Sequence, residues 1–226
     1  ISKEVQDHLA KNKFESVVIM NGIDVSKFFV KKGINDKLTN VLSLCQSEHA
    51  NTFLRNVCDK LGVNFTYFDK DMNPTWVVED EINKVDLVVG LGRSAYEAMA
   101  CGRPIVVFDS RAYFESFADG YLTTDKLARS LDCNCSGRSY KLKLTVDEMT
   151  EEFKKYNPTD GEILKKYILD NMSIQVIVDK YLNLFYSLQN NAAFYNRSYL
   201  LKFTQKAFYV RMIKTLIKNI VYDKYI

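Results

Sequence analysis

Residues 85–110 read VDLVVGLGRSAYEAMACGRPIVVFDS, and this stretch decides the fold. Val85 to Val89 is a short, apolar, β-branched run, which predicts a buried strand. A tight turn at Gly90-Leu91-Gly92, a short helix from Ala95 to Cys101 and a second buried strand from Ile105 to Phe108 follow. Two apolar strands joined by one helix form a unit with parallel strands. Ligands bind beyond the carboxyl ends of such strands.

The turn before the predicted helix has the composition of an anion-binding loop. Ser94 is expected to cap the helix, and Gly102 to end it. A helix N-terminus exposes unpaired N–H groups and carries a charge of about +0.5. The glycines leave that end open and Arg93 adds a positive charge, so phosphate is the predicted ligand. Glu97, one helical turn from Arg93, would repel phosphate and is expected to accept hydroxyl groups of a ribose instead.

These residues allow a nicotinamide-binding interpretation. Residues 90–95 fit the pattern G-x-G-x-x-A, and Asp109, at the end of the next strand, stands as the ribose-binding acid. The match rests on three residues, and the predicted helix is short for a dinucleotide-binding domain. An NAD-binding domain is therefore the less favoured alternative.

The same stretch resembles the donor-binding motif of family 4 glycosyltransferases, E-G-x-G-x-x-x-x-E-A-M-A-C-G-x-P-V. It stands here as Val89-Gly90-Leu91-Gly92, followed by Glu97 to Ile105 (EAMACGRPI). The resemblance implies the GT-B fold, which is built from two Rossmann-like domains. The chain would then be the donor-binding half, an α/β domain with a parallel sheet and helices on both faces, followed by a C-terminal helical extension.

The resemblance also implies an activity. Members transfer a sugar from a nucleotide-diphosphate donor to a glycan or lipid-linked acceptor, in polysaccharide biosynthesis and with retention at the anomeric carbon. They use no metal and no cofactor besides the donor substrate. The second glutamate of the motif holds the donor ribose and corresponds to Glu97. The loop that contacts the donor sugar and phosphates corresponds to Gly90, Leu91, Gly92, Arg93, Ser94 and, through its backbone, Ala95.

Two departures from the family pattern bear on catalysis. The first glutamate of the motif is Val89 here, and the arginine and lysine expected after the first donor-domain strand are missing from residues 44–49. In the family these cations neutralise the leaving diphosphate. Arg93, Arg103 and Arg138 are possible replacements, and we name Arg93 and Arg138 as the catalytic candidates. The departures leave open a non-catalytic nucleotide-binding or scaffold module in polysaccharide assembly.

The resemblance also orders the rest of the chain. Met20-Asn21-Gly22-Ile23-Asp24 is similar to the "P-N-G-I-D" at the seam between the two domains. Residues 1–30 are therefore expected near that seam and residues 1–190 in the donor domain, with the acceptor-binding domain absent before Ile1. The fragment alone is expected to bind nucleotide without transferring sugar. Phe14 to Met20 is predicted as a strand, Ser110 to Gly120 as a loop or short helix, and Trp76 as a packed side chain.

Composition bounds the remaining functions. The chain has 226 residues, 47% of them hydrophobic, and a formal net charge of +3. It has no signal peptide and no apolar run of about 18 residues, and its five cysteines lack a disulfide pattern, so a cytoplasmic location is expected. The scattered aromatic residues do not favour nucleic-acid binding. No metal site is predicted, because Cys133 and Cys135 form a lone C-x-C and Asp69-Lys70-Asp71 fits a turn.

Residues 191–226 form a basic extension. From Tyr199 the apolar residues recur with helical spacing, and lysines line another face. A basic amphipathic helix of this kind, over residues 197–224, suits an anionic membrane surface on the inner face of the membrane. Packing on this domain or on the missing one is the alternative, and the sequence leaves both open.

Overall fold

A computed structural model describes residues 2–68, 73–111 and 115–190. The chain divides into two compact units, Ile1–Lys180 and Tyr181–Ile226. The predicted turn at 69–71 and the basic extension at 191–226 lie outside the described residues. The strands are β1 (Asn40–Ser43), β2 (Asn64–Tyr67), β3 (Leu87–Gly90), β4 (Ile105–Asp109) and β5 (Phe117–Tyr121). The helices are α1 (Lys3–Lys11), α2 (Glu48–Leu61), α3 (Val78–Ile82), α4 (Arg93–Ala100), α5 (Thr124–Asp132), α6 (Val146–Lys154), α7 (Pro158–Met172) and α8 (Ile174–Asn190).

The five strands form one sheet in the order β2-β1-β3-β4-β5. The first four strands run parallel, as predicted, but β5 runs antiparallel to β4. The expectation of an all-parallel sheet, with a loop or short helix over residues 110–120, was therefore wrong for β5. Its sequence, FADGY, contains a charge and a glycine and has no apolar run. It pairs because β4 offers an open edge, and an isolated bridge from Ala118 to Leu142 continues the pairing.

Helices cover both faces of the sheet, which confirms the α/β prediction. Successive strand residues point to opposite faces, so β3 sends Val88 to one core layer and Leu87 and Val89 to the other. The first layer contains buried side chains of α3, α4, α5 and α7, and the second those of α2 and α6. The long apolar runs of β3 and β4 are thereby buried on both sides.

Helix α4 begins two residues earlier than predicted. Gly92, and not Ser94, is its N-cap, with φ 54° and ψ −124°. These angles are readily adopted only without a Cβ, so the glycine decides where the helix starts. At the other end the prediction is confirmed, since Gly102 follows the last turn with φ +69°.

The C-terminal end of α4 is closed by neighbouring backbone. Arg103 is 1% exposed, and its guanidinium donates to the carbonyl oxygens of Ile82, Cys101, Lys32 and Asn83 at 2.7–3.1 Å. Arg103 therefore holds three chain segments together. As a buried group it is unsuited to the role of a replacement catalytic cation.

The segment before Ile23 is not a strand. Residues 14–20 are irregular, and Phe14 and Val17 are 63% and 64% exposed. The apolar run from Val17 to Met20 finds no partner strand in the described part of the chain. Ile23 instead pairs with Ser173, through bonds from Ile23 N to Met172 O (2.8 Å) and from Ile174 N to Ile23 O (3.0 Å).

Candidate functional site

The candidate site lies where the sheet order reverses. From β1 the chain moves outward to β2 and then returns to β3 on the other side of β1. In doubly wound sheets a crevice opens beyond the carboxyl ends of the two strands at this point, and ligands bind there. The ends of β1 and β3 are held together by the bond from Leu44 N to Val89 O, 2.9 Å long. The glycine turn at residues 90–92 follows β3 directly and borders this crevice.

The turn is built by its own hydrogen bonds. The Ser94 hydroxyl accepts from Leu91 N at 3.2 Å and donates to Leu91 O at 2.9 Å. A Cβ on Gly90 would lie 2.7 Å from that hydroxyl oxygen, so only glycine fits there. Gly92 N donates to Cys135 O at 2.9 Å. The amides of Leu91 and Gly92 are therefore already used within the protein.

The first turn of α4 supplies the remaining amide donors. The N–H groups of Arg93, Ser94 and Ala95 precede the first intrahelical bond, which runs from Tyr96 N to Gly92 O. They point out of the helix end, where its dipole favours an anion. The donors that suit phosphate thus come from residues 93–95, and the glycines contribute space for close approach.

Glu97 and Arg93 form an ion pair on the outer side of α4. Arg93 Nε lies 2.8 Å from Glu97 Oε1, and the side chains are 63% and 13% exposed, respectively. Because the Arg93 side chain is mostly in solvent, the pair contributes roughly 1 kcal/mol or less, and a ligand can replace Arg93 at little expense. The structure brings the carboxylate within one turn of the amide donors, which is the placement that the ribose role requires.

Arg138 follows the loop that contacts Gly92, and its charge is already paired. Its guanidinium makes a bidentate bond to Glu4 of α1, with distances of 2.9 and 2.8 Å. This bond raises the pKa of Arg138 and lowers that of Glu4. Arg138 would have to leave Glu4 to stabilise a leaving group, whereas the Arg93 guanidinium is mostly exposed.

Two further positions bear on the alternatives. Val89 is fully buried in the second core layer and does not line the crevice. Asp109, the ribose-binding acid of the nicotinamide interpretation, is 3% exposed, and Arg111 binds both of its carboxylate oxygens at 2.8 and 2.5 Å. A carboxylate held in this way is poorly placed to receive a ribose, which weighs against the nicotinamide interpretation.

An apolar cleft of about 360 Å³ adjoins the crevice. Leu44, Gln46, Phe68 and Trp76 line it, and Leu44 Cβ lies 3.8 Å from the position of a Cβ on Gly90. The expectation that Trp76 packs in the core was wrong, because its side chain is 92% exposed. The only sequence signal for this exposure is Pro74 and the short helix after it, because no apolar periodicity surrounds the tryptophan. An exposed indole beside a cleft is suited to stacking on a planar ring.

Four of the five cysteines are buried thiols. Burial raises the pKa of Cys45 and Cys101 to about 11, and that of Cys58 and Cys135 to about 12. None of the five takes part in a disulfide. Within residues 2–68, 73–111 and 115–190, no group of three or more His, Cys, Asp or Glu side chains could hold a metal ion. No helix of these same ranges has the length and apolarity needed to cross a membrane.

Two comparisons with known proteins give no match. Neither a scan of protein-family models nor a search of curated proteins finds a match to this chain. Function is therefore inferred from the geometry of the crevice and from the motif in the sequence.

Proposed function

We propose that this chain contains the donor-binding domain of a GT-B glycosyltransferase. The complete enzyme would transfer a sugar from a nucleotide-diphosphate donor to a glycan or lipid-linked acceptor, with retention and without a metal. The proposal rests on one observation: three groups of residues, each suited to one part of a nucleotide, meet where the strand order of the sheet reverses. Amide donors of residues 93–95 suit a diphosphate, Glu97 suits a ribose, and the cleft beside Trp76 suits a base.

The donor would lie across the crevice from β3 to β1. Its diphosphate would accept from the amides at the start of α4, where three N–H groups and the helix dipole favour negative charge. Glu97 Oε2 accepts no hydrogen bond within the described part of the chain, so it can receive a ribose hydroxyl. The base would enter the apolar cleft and stack on Trp76, which places the nucleoside on the β1 side.

Arg93 is the favoured group for stabilising the leaving diphosphate. Its guanidinium stands at the helix end where charge would develop, and it has one weak partner to give up. Arg138 is the second candidate, and it would act only after the bond to Glu4 opens. The acceptor has no assigned site among these residues, so the chain alone is expected to bind donor without turnover. The basic residues of 197–224 favour an acceptor at an anionic cytoplasmic membrane surface.

The protein contains an intrinsic fluorescent probe for nucleotide binding. Trp76 is the single tryptophan of the chain and lines the cleft, so its fluorescence reports a base that stacks there. We would titrate the protein with UDP, GDP, ADP and NAD, with and without EDTA. Quenching by one nucleoside diphosphate that EDTA does not change is the expected result. Quenching by NAD alone would refute the proposal. It would also be refuted if neither fluorescence nor calorimetry detects binding of any of these ligands.

The Glu97→Ala variant identifies the site. It is expected to weaken nucleoside diphosphate binding by at least about tenfold, because a hydrogen bond to a charged group contributes about 1.5–3 kcal/mol. The control is Glu151→Ala, which removes an exposed helical glutamate that is paired with Lys154 on α6, away from the crevice. This control should bind like the original protein. Equal loss of affinity in both variants would show that the substitutions act by destabilising the protein and not by removing a contact with the ligand.

A non-catalytic nucleotide-binding or scaffold module remains the second candidate. Buried Val89 and the absence of a cation in residues 44–49 favour it, because both departures remove groups that serve the reaction. Glu97→Ala in the complete protein separates the two functions. An enzyme should lose most of its sugar transfer, whereas a scaffold should keep its role in the cell.

A further inference from the structure

Asn134 presents a hydrogen-bond donor at the N-terminal end of α4. Its Oδ1 accepts from the Tyr96 hydroxyl at 2.9 Å, which fixes the orientation of the side-chain amide. A Cβ on Gly92 would lie 3.2 Å from Asn134 Nδ2, so the amide nitrogen rests against the N-cap glycine. Throughout the described ranges this nitrogen has no acceptor, although the side chain is half-buried.

The loop that carries Asn134 is fastened to the same glycine. Asn134 and the next residue, Cys135, both have left-handed backbone angles, with φ 57° and 45°. Two consecutive residues other than glycine in this region store strain. The bonds from Gly92 N to Cys135 O (2.9 Å) and from Cys135 N to Ser130 O (2.8 Å) hold them there. The fold therefore holds this amide rigidly at the helix end.

We infer that Asn134 is a further ligand-binding residue, which donates from Nδ2 to the anionic diphosphate at the start of α4. The inference rests on the proposed function and extends its donor set to a residue on a separate loop. Tyr96 is the positioning residue, because its hydroxyl holds Oδ1 and so directs Nδ2 toward the anion. A side-chain donor of this kind supplements the three amides and requires that Gly92 have no side chain.

The test compares three variants with charged and uncharged ligands. Asn134→Ala removes the donor and is expected to weaken binding of UDP, GDP or ADP, whichever binds, by about tenfold. Asn134→Asp has the same shape but repels phosphate, so it is expected to weaken binding by about a hundredfold. Tyr96→Phe keeps Asn134 but frees its rotation, and a smaller loss is expected. The corresponding nucleoside, which lacks phosphate, should bind all forms equally.

The control introduces the same charge at the opposite ends of the strands, away from the proposed site. Asn64→Asp changes an exposed asparagine at the amino end of β2 and should leave binding unchanged. Equal binding of the diphosphate by Asn134→Ala, Asn134→Asp and the original protein would overturn the inference while leaving the proposed function intact. Equal losses for nucleoside and nucleoside diphosphate would assign Asn134 a structural role and also overturn it. If the original protein binds none of the ligands, both proposals fail together.

Discussion

The two ends of α4 carry glycines of one continuous motif, but their surroundings are opposite. At the N-terminal end three backbone amides and the Asn134 amide are without acceptors in the described structure, and Arg93 is largely in solvent. At the C-terminal end Arg103 is buried and every one of its contacts is a backbone or amide oxygen. Unsatisfied polar groups are rare in buried sites. The open end is therefore the one with hydrogen-bond donors left for the ligand that we propose.

The two parts of the motif therefore have different roles. Residues 90–97 form the surface that a donor would contact, whereas residues 101–104 fix the position of the helix. Substitutions at the closed end should change the free energy of unfolding, and substitutions at the open end should change binding.

Replacement of Arg103 should have the largest effect. Arg103→Met leaves buried carbonyl oxygens without donors, and we expect the free energy of unfolding to fall by about 3–5 kcal/mol. Arg93→Met makes the same chemical change at the open end and should cost at most about 1 kcal/mol. Urea unfolding of both variants measures the difference. Equal losses would contradict the assignment of the closed end as structural.

Replacement of Gly161 should have an intermediate effect. This glycine lets α7 contact the backbone of Gly102, and an added Cβ would overlap Gly102 O and lie 3.0 Å from Pro104 Cδ. Gly161→Ala should therefore lower the free energy of unfolding by about 1–3 kcal/mol. Gly33→Ala is the control, since nothing lies within 4 Å of its added Cβ. Equal melting temperatures of the two variants would show that α7 moves to accommodate the added methyl group without loss of stability.

Replacement of Glu4 should have the smallest effect, and it depends on pH. Arg138 lowers the pKa of Glu4 in the folded protein, so their pair stabilises the fold above the ordinary carboxyl range. That stability is lost as the pH falls through the folded pKa. Glu4→Gln should lower the free energy of unfolding by less than about 1 kcal/mol at pH 7, and by progressively less as the pH falls toward 3.

Denaturant titrations of Glu4→Gln at the two pH values provide the measurement. Glu15→Gln is the control, because Glu15 is exposed and has no ion-pair partner in the described residues. A loss that persists at pH 3 would show that the Glu4 side chain acts by packing and not by charge.

Prediction from sequence succeeded where a pattern is local. The apolar runs of β3 and β4 were located within about two residues, because each depends on neighbouring side chains. Strand β5 was missed because its pairing depends on the edge of β4 and not on its own composition. The segment from Phe14 to Met20 shows the converse, an apolar run that has no partner strand in the described residues.

The site shows the same division. Gly90, Gly92, Arg93 and Glu97 stand together in sequence, and their placement on one turn and one helix could be predicted. Asn134 comes from a distant loop and Trp76 from another segment, so their approach to the crevice follows from tertiary packing. Arg103 was misjudged for the same reason, since its acceptors come from three separate parts of the chain.

The bridge between Ile23 and Ser173 fixes the order of events during synthesis. Its partners lie near the start and near the end of the first unit, and all five strands come between them. A chain emerging from the ribosome can therefore assemble the sheet before Ser173 has been added. Contacts between positions so far apart form late and limit the rate of folding. The backbone of Ile23 therefore has no partner for this bridge until translation has passed Ser173.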